Sequence, residues 1–540
     1  VRPSPWLSLG ILLLAAGCGS PQSPIAPTGG GGASNQPQSG GVLNARVPTD
    51  YYDFDVTLTG KGTNARVQGL SYSSLLGFKS GPDVPYSQYI LQPKLAEKWS
   101  VNADGTSFTF NLRKGVKWAN LPPVNGRDLT SADVKWTYEY GSRTGALKDK
   151  KLPTGQFDWM FEGLKEIQTP DPYTVVVSFK ESFSPFLNYA GHHLNPILPH
   201  EIYDLDGDFK TRIVGSGPYQ LDTSASQKGA AWVWKKNPDY WEPGKPYLDA
   251  IKWVVIPDDS TAAAAFRVGQ IDLVGDYTYA PAQDIMKADP KAVAFDLSGA
   301  TPVHMYMNLK FPPFQDIRIR KAITLGINRD ELSLVQGGGK GGWALAGTYP
   351  TMFTQAEIKA MIPYDPPQAK QLVIDAGYPN GLDVQFEYPT DNGQVYITDF
   401  QLLQSQLKKI GINFVAKPIS YAEYSATKKN HTATVTTTSK DWQADIDGYL
   451  YGTFYSKSKD NYDGVNDPKL DAMLEAQRRE ADPAKRTELI KAAVRYINGE
   501  SYLGRALYSK STFMFAHPNL KNFAPNFQTA YDLTGAWLEK

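Results

Sequence analysis

The chain has 540 residues, and its 41 % hydrophobic content is enough to fill more than one core, so two or three lobes are expected. Its 55 Lys and Arg balance 55 Asp and Glu, which leaves no basic field for nucleic acid and no polybasic face for a membrane surface. A single cysteine excludes an intrachain disulfide.

That cysteine stands near the start. The apolar run from Trp6 to Ala16 is shorter than the ~20 apolar residues a bilayer span needs. Arg2 precedes it and Leu14-Ala15-Ala16-Gly17 ends it, so residues 1–17 read as a secretory leader. Cys18 follows directly and resembles the lipidated cysteine of a bacterial lipoprotein. Residues 18–41 carry no charge and include Gly29-Gly30-Gly31-Gly32, a composition that cannot bury enough apolar surface to offset ordering. We expect a tether there, with the working part of the protein outside the cytoplasm.

Trp99 to Leu112 reads as a hairpin turning at Asp104-Gly105, with Phe108, Phe110 and Leu112 on one face. Thr130-Ser131-Ala132-Asp133 opens a helix with a capping box. Thr174–Phe179, Ala231–Lys235, Ile251–Ile256 and Ile271–Val274 read as strands, and Ser260–Val268 as a helix ended by Gly269. The run Gly337 to Gly342 reads as a flexible loop. Asp365-Pro366, Asp467-Pro468 and Asp482-Pro483 each open a helix, with Asp as cap and Pro in the first turn. Gln394–Ile410 is a further helix, and Ile412–Val415 a strand. Alternating strands and helices give an α/β class.

No catalytic pattern stands out. The segment around Lys340 lacks the residues of a phosphate loop, and there is neither a His-Glu-x-x-His pair nor a Gly-x-Ser-x-Gly turn. His192-His193 is the only histidine cluster. Asp445 and Asp447, two apart, would share one face of a strand. No enzyme activity, metal or cofactor is expected.

Taken in order, several blocks resemble the solute-binding receptors of bacterial ABC importers, in particular the peptide/nickel class. They are Leu95-Ala96-Glu97-Lys98-Trp99, Phe108 through Trp118, Gly215-Ser216-Gly217-Pro218-Tyr219, Asn237-Pro238-Asp239-Tyr240-Trp241, and Pro313 through Ile323. The loop Ala119 to Gly126 departs from the pattern. The resemblance implies a two-lobed α/β fold of the periplasmic-binding-protein kind, with a hinged cleft and an extra subdomain in the first lobe. It places lobe I at 42–76, 203–258 and 505–540, the inserted subdomain at 77–202, and lobe II at 259–504. Hinges fall near Pro257-Asp258 and Gly504-Arg505.

The implied function is an extracytoplasmic receptor that delivers peptides to an ABC permease. It would be monomeric and anchored to the cell envelope through lipid on Cys18. Peptide-binding relatives carry a Trp-x-x-Asp whose aspartate meets the ligand ammonium, and Trp442 and Asp445 match it. The arginine that short-peptide receptors use for the ligand carboxylate is missing from Pro389 to Tyr396. Trp343, Trp442, Tyr449 and Tyr451 would instead suit stacking on sugar rings, making an oligosaccharide receptor the alternative. A secreted hydrolase is the rival from another class.

Overall fold

Val42–Val47 runs parallel to Ala250–Val255 along its whole length, with Ala45 opposite Trp253. In Ala250–Val255, Ile251 and Trp253 are buried while Lys252 between them is exposed, the period-two pattern of a strand with one covered face. The computed structural model describes residues 36–51, 54–55, 69–86, 88–148, 150, 152, 158–299, 301–348, 351–391, 393–439, 445–525 and 532–540. Contacts divide the chain after Pro37, and the unit Gln38–Lys540 holds every element discussed. Cys18 and Trp442 lie outside the described residues.

Among the described residues three larger sheets form. The first has seven strands in the order Val293–Asp296, Phe513–Ala516, Leu273–Tyr277, Val42–Val47, Ala250–Val255, Ala231–Lys236, Tyr219–Leu221. Helices Asp259–Arg267 and Tyr279–Ala288 cover one face, with Phe266 and Ile285 in one core with Phe515 of the sheet. The other face shares a core with an inserted sheet in the order Ala96–Val101, Ser107–Leu112, Thr174–Phe179, Leu164–Asp171. The expected hairpin is there: Trp99 pairs with Phe110, and the Asp104 carboxylate accepts from the Thr106 N–H at the turn. The capping box at Thr130 and Asp133 starts helix Ser131–Ser142.

The third sheet has five strands, Ile412–Ile419, Leu382–Pro389, Val435–Ser439, Pro302–Met307 and Ala506–Ser509. Pro302–Met307 is buried at every position, as a central strand covered on both faces must be. Helices Ile446–Phe454, Pro468–Arg479 and Pro483–Arg495 build a separate core beside it.

Two expectations are corrected. Leu273–Tyr277 and Val293–Asp296 belong to the first sheet, so the second lobe does not begin at residue 259. The chain crosses between the large sheets after Asp296 and again after Ser509, not at Pro257-Asp258 and Gly504-Arg505. The two crossings are laced together: Leu297 N–H donates to Thr512, Gly299 N–H to Lys510, and Lys510 N–H to Thr301. The glycine run after helix Arg329–Gly337 is also no slack loop. A Cβ on Gly341 would stand 1.8 Å from the Ser509 carbonyl oxygen, so only glycine lets these backbones approach.

Candidate functional site

Asp445 and Asp447 do not share a strand. Asp445 caps helix Ile446–Phe454, accepting from the Asp447 N–H at 2.8 Å, and Asp447 sits in the first turn. Carboxylates favour that end of a helix because its first N–H groups lack partners and the dipole is positive there.

Both side chains are buried, Asp445 at 1 % exposure and Asp447 at 0 %. Asp445 takes a two-pronged ion pair from Arg486, at 2.6 and 2.9 Å, and a 2.6 Å hydrogen bond from the Asn188 amide. With the Asp447 N–H that makes four donors, the full capacity of a carboxylate. Burial alone would push its pKa up; the Arg486 guanidinium outweighs it and holds the group below its ordinary value. Asp447 accepts from the Tyr189 hydroxyl at 2.8 Å and the Gln477 amide at 2.5 Å, and pairs with Arg478 at 3.1 Å. Burial still raises its pKa, because the neighbouring Asp445 charge adds to the desolvation that Arg478 opposes.

These bonds join separate parts of the molecule. Asn188 and Tyr189 flank the inserted sheet, whereas Asp445, Asp447, Arg478 and Arg486 belong to the second lobe. Arg478 also donates to Glu162 at 2.8 Å, and the Ser184 N–H donates to the Arg478 carbonyl at 2.9 Å. The Arg478 guanidinium lies 3.6 Å over the Tyr451 ring and 4.9 Å from that of Phe183. The inserted layer is thus docked on the helical face of the second lobe.

A cavity of about 530 Å³ opens at this junction. Trp159, Glu162 and Lys180 line it from the inserted side, and Tyr451, Tyr455 and Asp460 from the second lobe. Tyr451 donates to Glu162 at 3.1 Å and stacks on Tyr455 with centroids 4.1 Å apart. Asp158 and Lys459, paired across the junction, are also part of its wall. Acidic and basic groups therefore face one space with aromatic walls, the usual chemistry of a small-ligand pocket.

Of the residues singled out from sequence, Trp442 lies outside the described residues, and Asp445, Trp343 and Tyr449 are not brought together around this cavity. Asp445 is saturated by protein donors, so the described geometry leaves it no lone pair for a ligand ammonium. Trp343 is 5 % exposed in the core beside the five-stranded sheet; its indole N–H donates to Asp330 at 2.7 Å and Lys359 covers its ring. Tyr449, at 1 % exposure, bonds His304 at 2.8 Å and borders a cavity of only about 50 Å³. Of the aromatic set, Tyr451 alone lines the larger cavity among the described residues. Trp159, Glu162 and Lys180 went unread. The available signal was a tryptophan between Asp158 and Glu162 in a stretch without helical or strand periodicity.

A family model described as bacterial extracellular solute-binding proteins, family 5 Middle, matches residues 91–461. The glutathione-binding protein GsiB of Escherichia coli (strain K12) is 28 % identical over 423 residues, covering 76 % of this chain and 79 % of that protein. Among solved structures, the periplasmic binding protein DppA of Helicobacter pylori, in complex with peptide STSA, matches with TM-score 0.79 at 23 % identity, covering 93 % of this chain and 99 % of that one. The oligopeptide-binding protein AppA of Bacillus subtilis, in complex with a nonapeptide, matches with TM-score 0.76 at 21 % identity, covering 94 % and 100 %. The structural likenesses carry the two-lobed fold. The family match covers most of the sequence, and the chain belongs to family 5 of the bacterial extracellular solute-binding proteins.

Proposed function

We propose that this solute-binding receptor of an ABC importer takes short peptides into the cavity between the inserted layer and the second lobe. One observation carries the reading: acidic Asp158, Glu162 and Asp460 and basic Lys180, Lys457 and Lys459 all line one 530 Å³ space, with both signs of charge on each side of the junction. A peptide brings an ammonium and a carboxylate, and such a site can meet both. Charged pairs at a partly desolvated junction are stronger than in water. A sugar fits less well, because Arg478 covers one face of Tyr451 and Tyr455 the other. The glutathione and peptide ligands of the similar proteins support the same class.

The laced segments, Leu297 to Gly299 with Thr301 and Lys510 to Thr512, serve as the hinge, and closure carries the inserted layer onto the second lobe. Lipid on Cys18 would keep the receptor within reach of its permease. Cys18→Ser should then move the protein from the membrane fraction to the soluble one, and no change would remove the anchor.

The reading is tested by thermal unfolding with pools of di- to pentapeptides and of oligosaccharides. A ligand at about 100 times its Kd adds about 2.7 kcal/mol. The peptide pool should raise Tm and the sugar pool should not. The opposite pattern would overturn the peptide assignment in favour of the sugar.

A further inference from the structure

A second cavity of about 530 Å³ lies wholly outside the second lobe. Lys94, Arg113, Trp241, Lys245 and Asp532 line it, with Glu242 beside them. None of its lining residues falls between 302 and 509, the span of the five-stranded sheet. It therefore keeps its walls whatever the two lobes do.

Its charges are unevenly matched. Three cations, Lys94, Arg113 and Lys245, meet two acids, Glu242 and Asp532, which leaves one positive charge over. Lys245 pairs with Glu242 at 2.9 Å and Lys94 with Asp532 at 3.7 Å. Among the described residues, Arg113 is the lining cation without a carboxylate. Its Nε donates to the Lys94 carbonyl at 2.6 Å, its guanidinium lies 4.8 Å over the Trp241 ring, and its terminal nitrogens have no acceptor among the described residues. The Trp241 Nε1–H is buried and has no acceptor there either. An unsatisfied buried indole N–H is costly, and a guanidinium held over an aromatic ring presents a planar fork that suits a carboxylate.

We infer that this first-lobe cavity is a second ligand site, separate from the cleft, that takes a small organic anion through a carboxylate placed on the Arg113 fork. Its volume lies in the range of about 300–1,000 Å³ common for small-molecule pockets. Because the second lobe contributes nothing to it, occupancy should be independent of the cleft ligand.

The test titrates the full chain, first without and then with a saturating peptide pool, with succinate or inorganic phosphate in a calorimeter. Saturable succinate binding is expected, with the same Kd in both states. Arg113→Gln should weaken it about tenfold or more. Lys245→Met, which leaves the Arg113–Trp241 stack intact, should weaken it about threefold through lost field alone. Peptide affinity should stay unchanged in both variants. Loss of succinate binding on adding peptide would place the anion in the cleft and overturn the second site. Equal succinate affinity in wild type and both variants, or binding of phosphate but not succinate, would overturn the carboxylate assignment. Because the succinate experiment without peptide does not depend on the cleft ligand, failure of the peptide reading leaves this test intact.

Discussion

The Asp445 carboxylate and the Arg486 guanidinium form a two-pronged ion pair, 2.6 and 2.9 Å long, with Asp445 out of contact with water. Asn188 completes it from the inserted layer. The pair therefore holds the start of helix Ile446–Phe454 and one side of the lobe junction together.

Asp445→Ala removes the buried carboxylate that the Arg486 guanidinium pairs with, at a cost of about 3–5 kcal/mol. Chemical denaturation should show that loss with and without peptide. A normal midpoint with weakened peptide binding would instead return Asp445 to the role of ammonium contact.

Tyr189→Phe deletes one hydrogen bond to a buried carboxylate, at a cost of about 1.5–3 kcal/mol. The bond joins the inserted layer to the second lobe, so the loss falls on the docked arrangement. Small-angle scattering should show a larger mean radius, and peptide affinity should drop about tenfold. An unchanged radius would mean that the bond does not hold the layers together.

Asp399 is buried, accepts from Gln336 at 2.8 Å and Tyr508 at 3.0 Å, and burial, only partly opposed by the Lys510 charge, pushes its pKa up to about 7. The folded chain then binds a proton there that the unfolded chain, titrating near the ordinary aspartate value, has released. Stability should fall as pH rises between those two values and level off above about 7. Asp399→Asn keeps an acceptor for both donors and cannot ionise. Its Tm should exceed wild type at pH 8 and converge with it near pH 4. A constant difference across that window would contradict the assignment.

Gly341→Ala drives a methyl into the Ser509 carbonyl beside the segment that leads back to the first sheet. Backbone cannot swing aside as a side chain can, so a loss above about 2 kcal/mol is expected in thermal unfolding. Gly339, with open space at its Cβ position but φ +77°, should tolerate Asn better than Gly341 tolerates Ala.

Much of the local structure was legible because local rules set it. Asp104-Gly105 turned where its chemistry requires, and Asp467-Pro468 and Asp482-Pro483 opened helices with the aspartate as cap. The site was less legible because partners decide it. Nothing local tells that Asp445 meets Arg486, 41 residues on, and Asn188, 257 residues back. Trp343 and Tyr449 are aromatic with a polar tip, equally at home in a pocket or a core. Asp330 and His304 satisfied those tips inside. The lobe boundary was misplaced for a related reason: Leu273–Tyr277 and Val293–Asp296 have ordinary strand sequences, and only pairing with Val42–Val47 and Phe513–Ala516 assigns them to the first sheet.

Affinity-selection mass spectrometry tests the central claim most directly. The receptor is mixed with equal pools of short peptides and oligosaccharides, and wild type is compared with Trp159→Ala. Wild type should retain peptides, and Trp159→Ala should retain about tenfold less because a wall of the cavity is gone. Retention of oligosaccharides alone, or equal peptide retention by both proteins, would contradict a peptide receptor that binds between the inserted layer and the second lobe.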